Sequence, residues 1–163
     1  MRNSPAYTLV EILVGITIIG LIFGFGFVSF REFSRRQALT GAAKQIQGDL
    51  RLTQELAIAG QKPEDIDCDS PNTLTGYNFR VNPDSSYTIE AACTGNGGTN
   101  VELKEVSLPS DISLSATSPN PILFKALGQG TNMTQGSSVT LTLVQAGTGS
   151  QIIVTISASG EIK

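Results

Sequence analysis

Ala6-Tyr7-Thr8-Leu9-Val10-Glu11-Ile12-Leu13 leads into nineteen uncharged residues, Ile12 to Phe30. As a helix this run rises about 28 Å, close to the ~30 Å hydrocarbon core of a bilayer. A helix that is apolar on every side needs either lipid or a large protein around it. A chain of 163 residues cannot supply the second, so the run predicts a membrane-inserted helix. A cleavable secretory signal fits poorly. Such a signal ends in small residues, whereas Val28-Ser29-Phe30-Arg31-Glu32-Phe33 is bulky and charged.

One carboxylate stands at the start of this run. A charge at the centre of a membrane helix costs ~2.5–3.5 kcal/mol on insertion scales, and such residues usually have a partner. No basic residue lies within one helical turn of Glu11. From the residues alone Glu11 is either an interfacial carboxylate that reaches water near the helix end or half of a pair completed elsewhere.

The stretch Ala6–Leu13 resembles the type III signal of prepilins and pseudopilins: a small residue, an aromatic, Thr, two aliphatics, Glu, then more aliphatics. The resemblance implies that a prepilin peptidase cuts between Ala6 and Tyr7 and N-methylates Tyr7, leaving residues 1–6 as the leader. It also implies that Glu11 of one subunit meets the Tyr7 α-ammonium of its neighbour. An ammonium and a carboxylate desolvated together offset each other's burial cost, and such a pair sets register. Two departures stand out. Ala6 replaces the usual Gly before the cut, and Arg2 is the only basic residue of the leader.

Outward from the anchor, residues 7–30, the pattern turns amphipathic over residues 31–60. Arg31, Glu32, Arg35 and Arg36 end the apolar run, and Glu32 precedes Arg36 by four, the favourable order for a helical pair. Leu39, Ala43, Ile46, Leu50 and Ala57 recur at helical spacing, with Lys44, Arg51 and Glu55 off that face. The helix is expected to reach about Ala59, where Gly60 and Pro63 stop it. The apolar stripe is read as packing against the rest of the chain. Within the anchor, Gly20 and Gly24 form a GxxxG face and Gly15 and Gly26 add to it. Close helix approach, a soft extensible segment and the ordinary frequency of Gly in membrane helices all remain open.

The stretch from Arg36 to Ala57, with Gly48-Asp49-Leu50-Arg51-Leu52-Thr53-Gln54-Glu55-Leu56-Ala57 at its centre, resembles the GspH/FimT subgroup of minor pseudopilins and pilins. The tail resembles it too: Ile122-Leu123-Phe124-Lys125 with Gly128, two strands, then Gly160.

Residues 61–163 read as a β-rich head. Tyr77–Val81 and Tyr87–Ala91 alternate around Asn82-Pro83-Asp84-Ser85-Ser86, a hairpin signature. Val101–Val106, Ile112–Leu114 and Ile122–Phe124 read as short strands, Val139–Val144 and Ile152–Ile156 as the strongest. Cys68 and Cys93 are the only cysteines. Outside the cytoplasm an even pair reads as a disulfide. Glu64, Asp65, Asp67 and Asp69 crowd the loop after the helix. Ser70 and Gly76 fall where an EF-hand needs Gly and Glu, so the loop reads as a solvated acidic segment rather than a calcium site.

Composition narrows function further. The chain has no His, which removes the commonest general base and zinc ligand. No Ser sits in a nucleophile elbow and no phosphate-binding Gly loop is present. Residues 1–62 hold seven basic against four acidic side chains, and residues 63–163 four against ten. The acidic head is unsuited to gripping nucleic acid, which wants a basic stripe.

The expectation is therefore an α+β, type IV pilin-like fold: a long N-terminal helix, anchor plus spine, packed on an antiparallel β head. The resemblance implies a non-catalytic minor pilin or pseudopilin without cofactor or metal. Its partners would be the prepilin peptidase, other subunits of a type IV pilus, secretion pseudopilus or DNA-uptake filament, and the inner membrane. The alternatives are a major fibre-forming pilin and a DNA-receptor pilin.

Overall fold

The computed structural model describes residues 8–64, 68–95 and 100–163, without the side chains of residues 25–29. Residues up to Gln37 form one compact unit and Ala38–Lys163 a second. Helix α1 runs Leu9–Ala59. Thr8 starts it: its hydroxyl oxygen accepts from the Glu11 backbone N–H at 3.3 Å, satisfying one of the donors a helix leaves free at its start. Gly60 ends it in the left-handed region, at φ 59°. There the Gly60 N–H donates to the Ala57 carbonyl and the Gln61 N–H to the Leu56 carbonyl. This double closure suits Gly because a left-handed residue with a Cβ is strained.

In the second unit the sequence spacing becomes packing. Leu39, Ala42, Ala43, Ile46, Leu50, Thr53 and Ala57 of α1 are buried. They recur every three or four residues and so share one helix face. Lys44, Arg51 and Glu55 are exposed, as the periodicity requires.

Seven strands make two antiparallel sheets. The first has the order β3-β2-β1-β5 and the second β4-β6-β7. The strands are β1 (Thr73–Val81), β2 (Ser86–Thr94), β3 (Asn100–Ser107), β4 (Ile112–Ala116), β5 (Ile122–Lys125), β6 (Ser138–Gln145) and β7 (Gln151–Ser157). The β1–β2 hairpin pairs Val81 with Tyr87 and Phe79 with Ile89. Its turn is tied by Asp84, whose carboxylate accepts from the Ser86 hydroxyl at 2.7 Å and from the Ser86 N–H at 3.2 Å. The Ser86 hydroxyl bond is the main cause that holds the Asp84 carboxyl below its usual range.

A single apolar cluster joins the buried face of α1 to both sheets. It includes Ile46, Leu50, Phe79, Tyr87, Ile122, Phe124, Leu141 and Ile156. Phe79 and Tyr87 stack with ring centroids 4.9 Å apart, a geometry worth ~0.5–1.5 kcal/mol beyond area burial. Two devices close the first sheet, one of backbone and one of a side-chain amide. Gly76 sits where β5 crosses so closely that a Cβ would lie 2.1 Å from the Phe124 carbonyl oxygen. Asn120 imitates a strand neighbour: its amide donates to the Val81 carbonyl at 2.7 Å and its oxygen accepts from the Val81 N–H at 2.9 Å.

Candidate functional site: the helix surface and its seat in the head

The first unit exposes apolar side chains on all sides of α1. Leu9 is 79% exposed and Phe23 75%; Val10, Ile12, Leu13, Ile16, Ile19 and Ile22 are exposed with them. Thr17 does not break this surface, because its hydroxyl donates to the Leu13 carbonyl at 2.8 Å. Among the described residues no helix is long and apolar enough to cross a membrane.

Glu11 lies in the first turn of α1, exposed. Among the described residues its carboxylate makes no ion pair. A carboxylate there also faces the positive end of the helix dipole. Ala6 and Tyr7, the expected cleavage and methylation positions, lie outside the described residues.

At the other end of α1 the chain is stitched to the head. Cys68 and Cys93 are bonded, with Cα atoms 5.3 Å apart. Cys93 stands on β2 opposite Leu74 of β1, so the bond holds the segment after the helix to the first sheet. The Tyr77 hydroxyl donates to the Gln61 carbonyl, and burial raises its pKa above the ordinary value. Lys62 donates to the Asn72 carbonyl at 2.9 Å. Of the acidic loop, Glu64 and Asp69 are exposed, while Asp65 and Asp67 lie outside the described residues. Among the described residues no group of three or more His, Cys, Asp or Glu could hold a metal ion.

The most consequential polar cluster was not singled out in the sequence. Asp49 lies on the buried face of α1. Its carboxylate accepts from the Tyr87 hydroxyl at 2.6 Å and from the Lys104 ammonium at 2.7 Å. Burial first, then the hydrogen bond and the negative charge of Asp49, push the Tyr87 phenol far above its ordinary value. One helix residue thus engages both β2 and β3. The signal was available: Asp49 follows Ile46 by three and precedes Thr53 by four, on the stripe read as apolar. Its partners carry no local signal, since they lie 38 and 55 residues away.

A long N-terminal helix that is apolar all round at its start and buried along one face in an antiparallel β head is a type IV pilin-like fold. The described polar groups form caps, ladders and helix–sheet ties. A family model described as type II transport protein GspH matches residues 42–160. The chain belongs to that family, whose members are pseudopilin-type structural subunits of type II secretion rather than enzymes, working among other pseudopilins. Neither the comparison with curated proteins nor that with solved structures found a match.

Proposed function

We propose that the chain is a minor pseudopilin that enters the inner membrane by α1, is cut between Ala6 and Tyr7, is N-methylated at Tyr7, and joins a filament through its helix. Residues 1–6 are then the leader, 7–30 the anchor and assembly half of the helix, 31–60 its amphipathic half, and 61–163 the extracytoplasmic head. The observation that carries this reading is the apolar surface exposed on all sides of α1 from Leu9 to Phe23. Such a surface needs lipid before assembly and neighbouring helices after it. The uncharged run Ile12–Phe30 has the length a bilayer asks for.

Glu11 is the assembly residue in this reading. It is the one charge between Leu9 and Phe30, and the cut creates a matching ammonium at Tyr7. Family membership supports the secretion pseudopilus over a pilus or a DNA-uptake filament. The acidic head argues against a nucleic-acid receptor. Terminal mass spectrometry of membrane-extracted protein tests the processing. N-methyl-Tyr7 is the expected first residue; a terminus at Met1, or one beyond Phe30, overturns the proposal.

A further inference from the structure

The outer strands of the two sheets are β3, β5, β4 and β7, and two of these edges are taken. The β5 edge is closed by the chain that follows it: the Lys125 N–H donates to the Gly130 carbonyl and the Asn132 N–H to the Leu123 carbonyl. The β7 edge is closed by the chain end, where Thr155 and Lys163 exchange both backbone hydrogen bonds. Among the described residues β4 and β3 each keep a side without a paired strand. β4 has five residues and β3 eight, so β3 is the longer open edge. A free edge leaves a row of N–H and C=O groups without ladder partners.

The side chains along this edge are unevenly served. Tyr87, Ile89 and Ala91 of β2 belong to the core, so Thr88 and Glu90 point to the other face of the sheet. Glu105 stands opposite Thr88, and Glu102 opposite Glu90. The Glu90 carboxylate is already satisfied. Arg80 donates to it through Nε at 3.1 Å and Nη2 at 3.2 Å, and the Asn100 amide donates at 3.0 Å. Glu102 and Glu105 are exposed, and among the described residues neither makes an ion pair. Like charges directly opposite each other, as Glu102 and Glu90 are, oppose strand pairing. The cations of the head are engaged elsewhere: Arg80 with Glu90, Lys104 with Asp49 and Lys163 with Glu161. Lys125 lies on β5, at the far side of the sheet.

We propose that the β3 edge receives an extended basic segment of another polypeptide as an added strand. The backbone of that segment pairs with the open side of Asn100–Ser107. Side chains directly opposite on neighbouring strands have Cβ atoms about 4.5–5.5 Å apart. Lys or Arg at the positions facing Glu102 and Glu105 therefore reaches both carboxylates. Backbone pairing supplies the affinity, and the alternate side chains supply the choice of partner. Leu103, passed over in the register with β2, is 41% exposed and adds an apolar contact. The same charges turn away a second copy. It would bring its own Glu102 and Glu105 and a head of four basic against ten acidic residues over 63–163, and like charges brought together discriminate strongly against a partner. The acidic head steers a basic segment towards itself.

The experiment uses the full chain in uncharged detergent micelles, and retention of the Cys68–Cys93 bond reports that the head is folded. Fluorescent peptides as long as β3 are read by anisotropy at low ionic strength, where exposed charges are least screened. One alternates Lys and Thr. A second alternates Glu and Thr, a third is the first with its backbone amides N-methylated, and a fourth copies Asn100–Ser107. The first should bind and the other three should not. Glu102→Gln combined with Glu105→Gln should weaken binding about tenfold, since two opposite-charge pairs are lost. Glu55→Gln combined with Glu64→Gln, at two exposed positions, changes the net charge equally and should bind as the wild type does. Equal binding of the methylated peptide would show adsorption by charge alone, and equal binding of the strand copy would make a second copy the occupant. Either result overturns the proposal, as does wild-type affinity of the Glu102 and Glu105 variant or no binding of the first peptide. The edge belongs to the head, so none of these outcomes bears on the Tyr7 terminus.

Discussion

Lys104 of β3 donates to Asp49 of α1, Nζ to Oδ1 at 2.7 Å. The Asp49 side chain is 10% exposed and that of Lys104 42%, so the pair is unequal. Losing Asp49 leaves Lys104 able to reach water but strands the Tyr87 hydroxyl, which is fully buried. An unsatisfied buried donor costs about 1–3 kcal/mol. Asp49→Ala should therefore lower unfolding stability by about that much, and Lys104→Met should leave the carboxylate with Tyr87 as its remaining hydrogen-bond donor among the described residues. Urea unfolding of both variants checks this; an Asp49→Ala variant as stable as the wild type refutes the tie.

The same cluster sets an alkaline limit. Burial and Asp49 raise the Tyr87 pKa above the ordinary 10.0, and burial raises Tyr77 as well. A raised phenol pKa means the folded state holds its proton more tightly than the unfolded state. Stability from this source is complete below about pH 10 and falls as the pH rises above it, because unfolding then releases a proton. Thermal melts between pH 8 and pH 12 should show this fall, and Tyr87→Phe should flatten it (about pH 10 being the unfolded phenol range).

Gly76→Ala should disrupt the seat of β5. The new methyl would lie 2.1 Å from the Phe124 carbonyl oxygen, and backbone cannot swing aside as a side-chain tip can. Overpacking of this kind costs about 1–3 kcal/mol or more. The melting temperature measures it; a variant that melts with the wild type would show that β5 can shift.

Reduction of Cys68–Cys93 frees a loop of sequence separation 25. On the chain-entropy account a loop of this size is worth about 3–4 kcal/mol. Dithiothreitol should lower the melting temperature, and alkylation without reductant should label no thiol. Two labelled thiols in the exported protein would refute the bond.

Glu11→Ala should leave the chain inserted and cut but exclude it from filaments. The buried core begins at Leu39 among the described residues, so protein level should hold, and removing a carboxylate eases insertion on membrane scales. The loss belongs to assembly, where a neighbour's ammonium is left unpaired at a cost of about 3–5 kcal/mol. Co-purification with sheared filaments, normalised to membrane level, reads it out. Incorporation equal to wild type would make Glu11 an interfacial carboxylate without a protein partner.

The elements and their faces follow from local residue patterns. Helix length, the stop at Gly60, the buried stripe from Leu39 to Ala57 and the alternation in β6 and β7 were all legible, whereas the alternation expected in β1 and β2 gives way to burial on both faces, from Gly76 to Phe79 and from Ser86 to Ile89. Each depends on residues within one or two turns or along one strand. The apolar helix start and its lone Glu11 were legible for the same reason. Which distant groups meet is settled by packing. It divided the strands into β3-β2-β1-β5 and β4-β6-β7, placed Asp49 under Tyr87 and Lys104, and set Gly76 against the Phe124 carbonyl. Periodicity is a local property, because it follows from the rise and turn of a single element. Partner choice is not local: an ion pair or a close backbone approach forms only where the packed core brings remote segments within a few ångströms of each other.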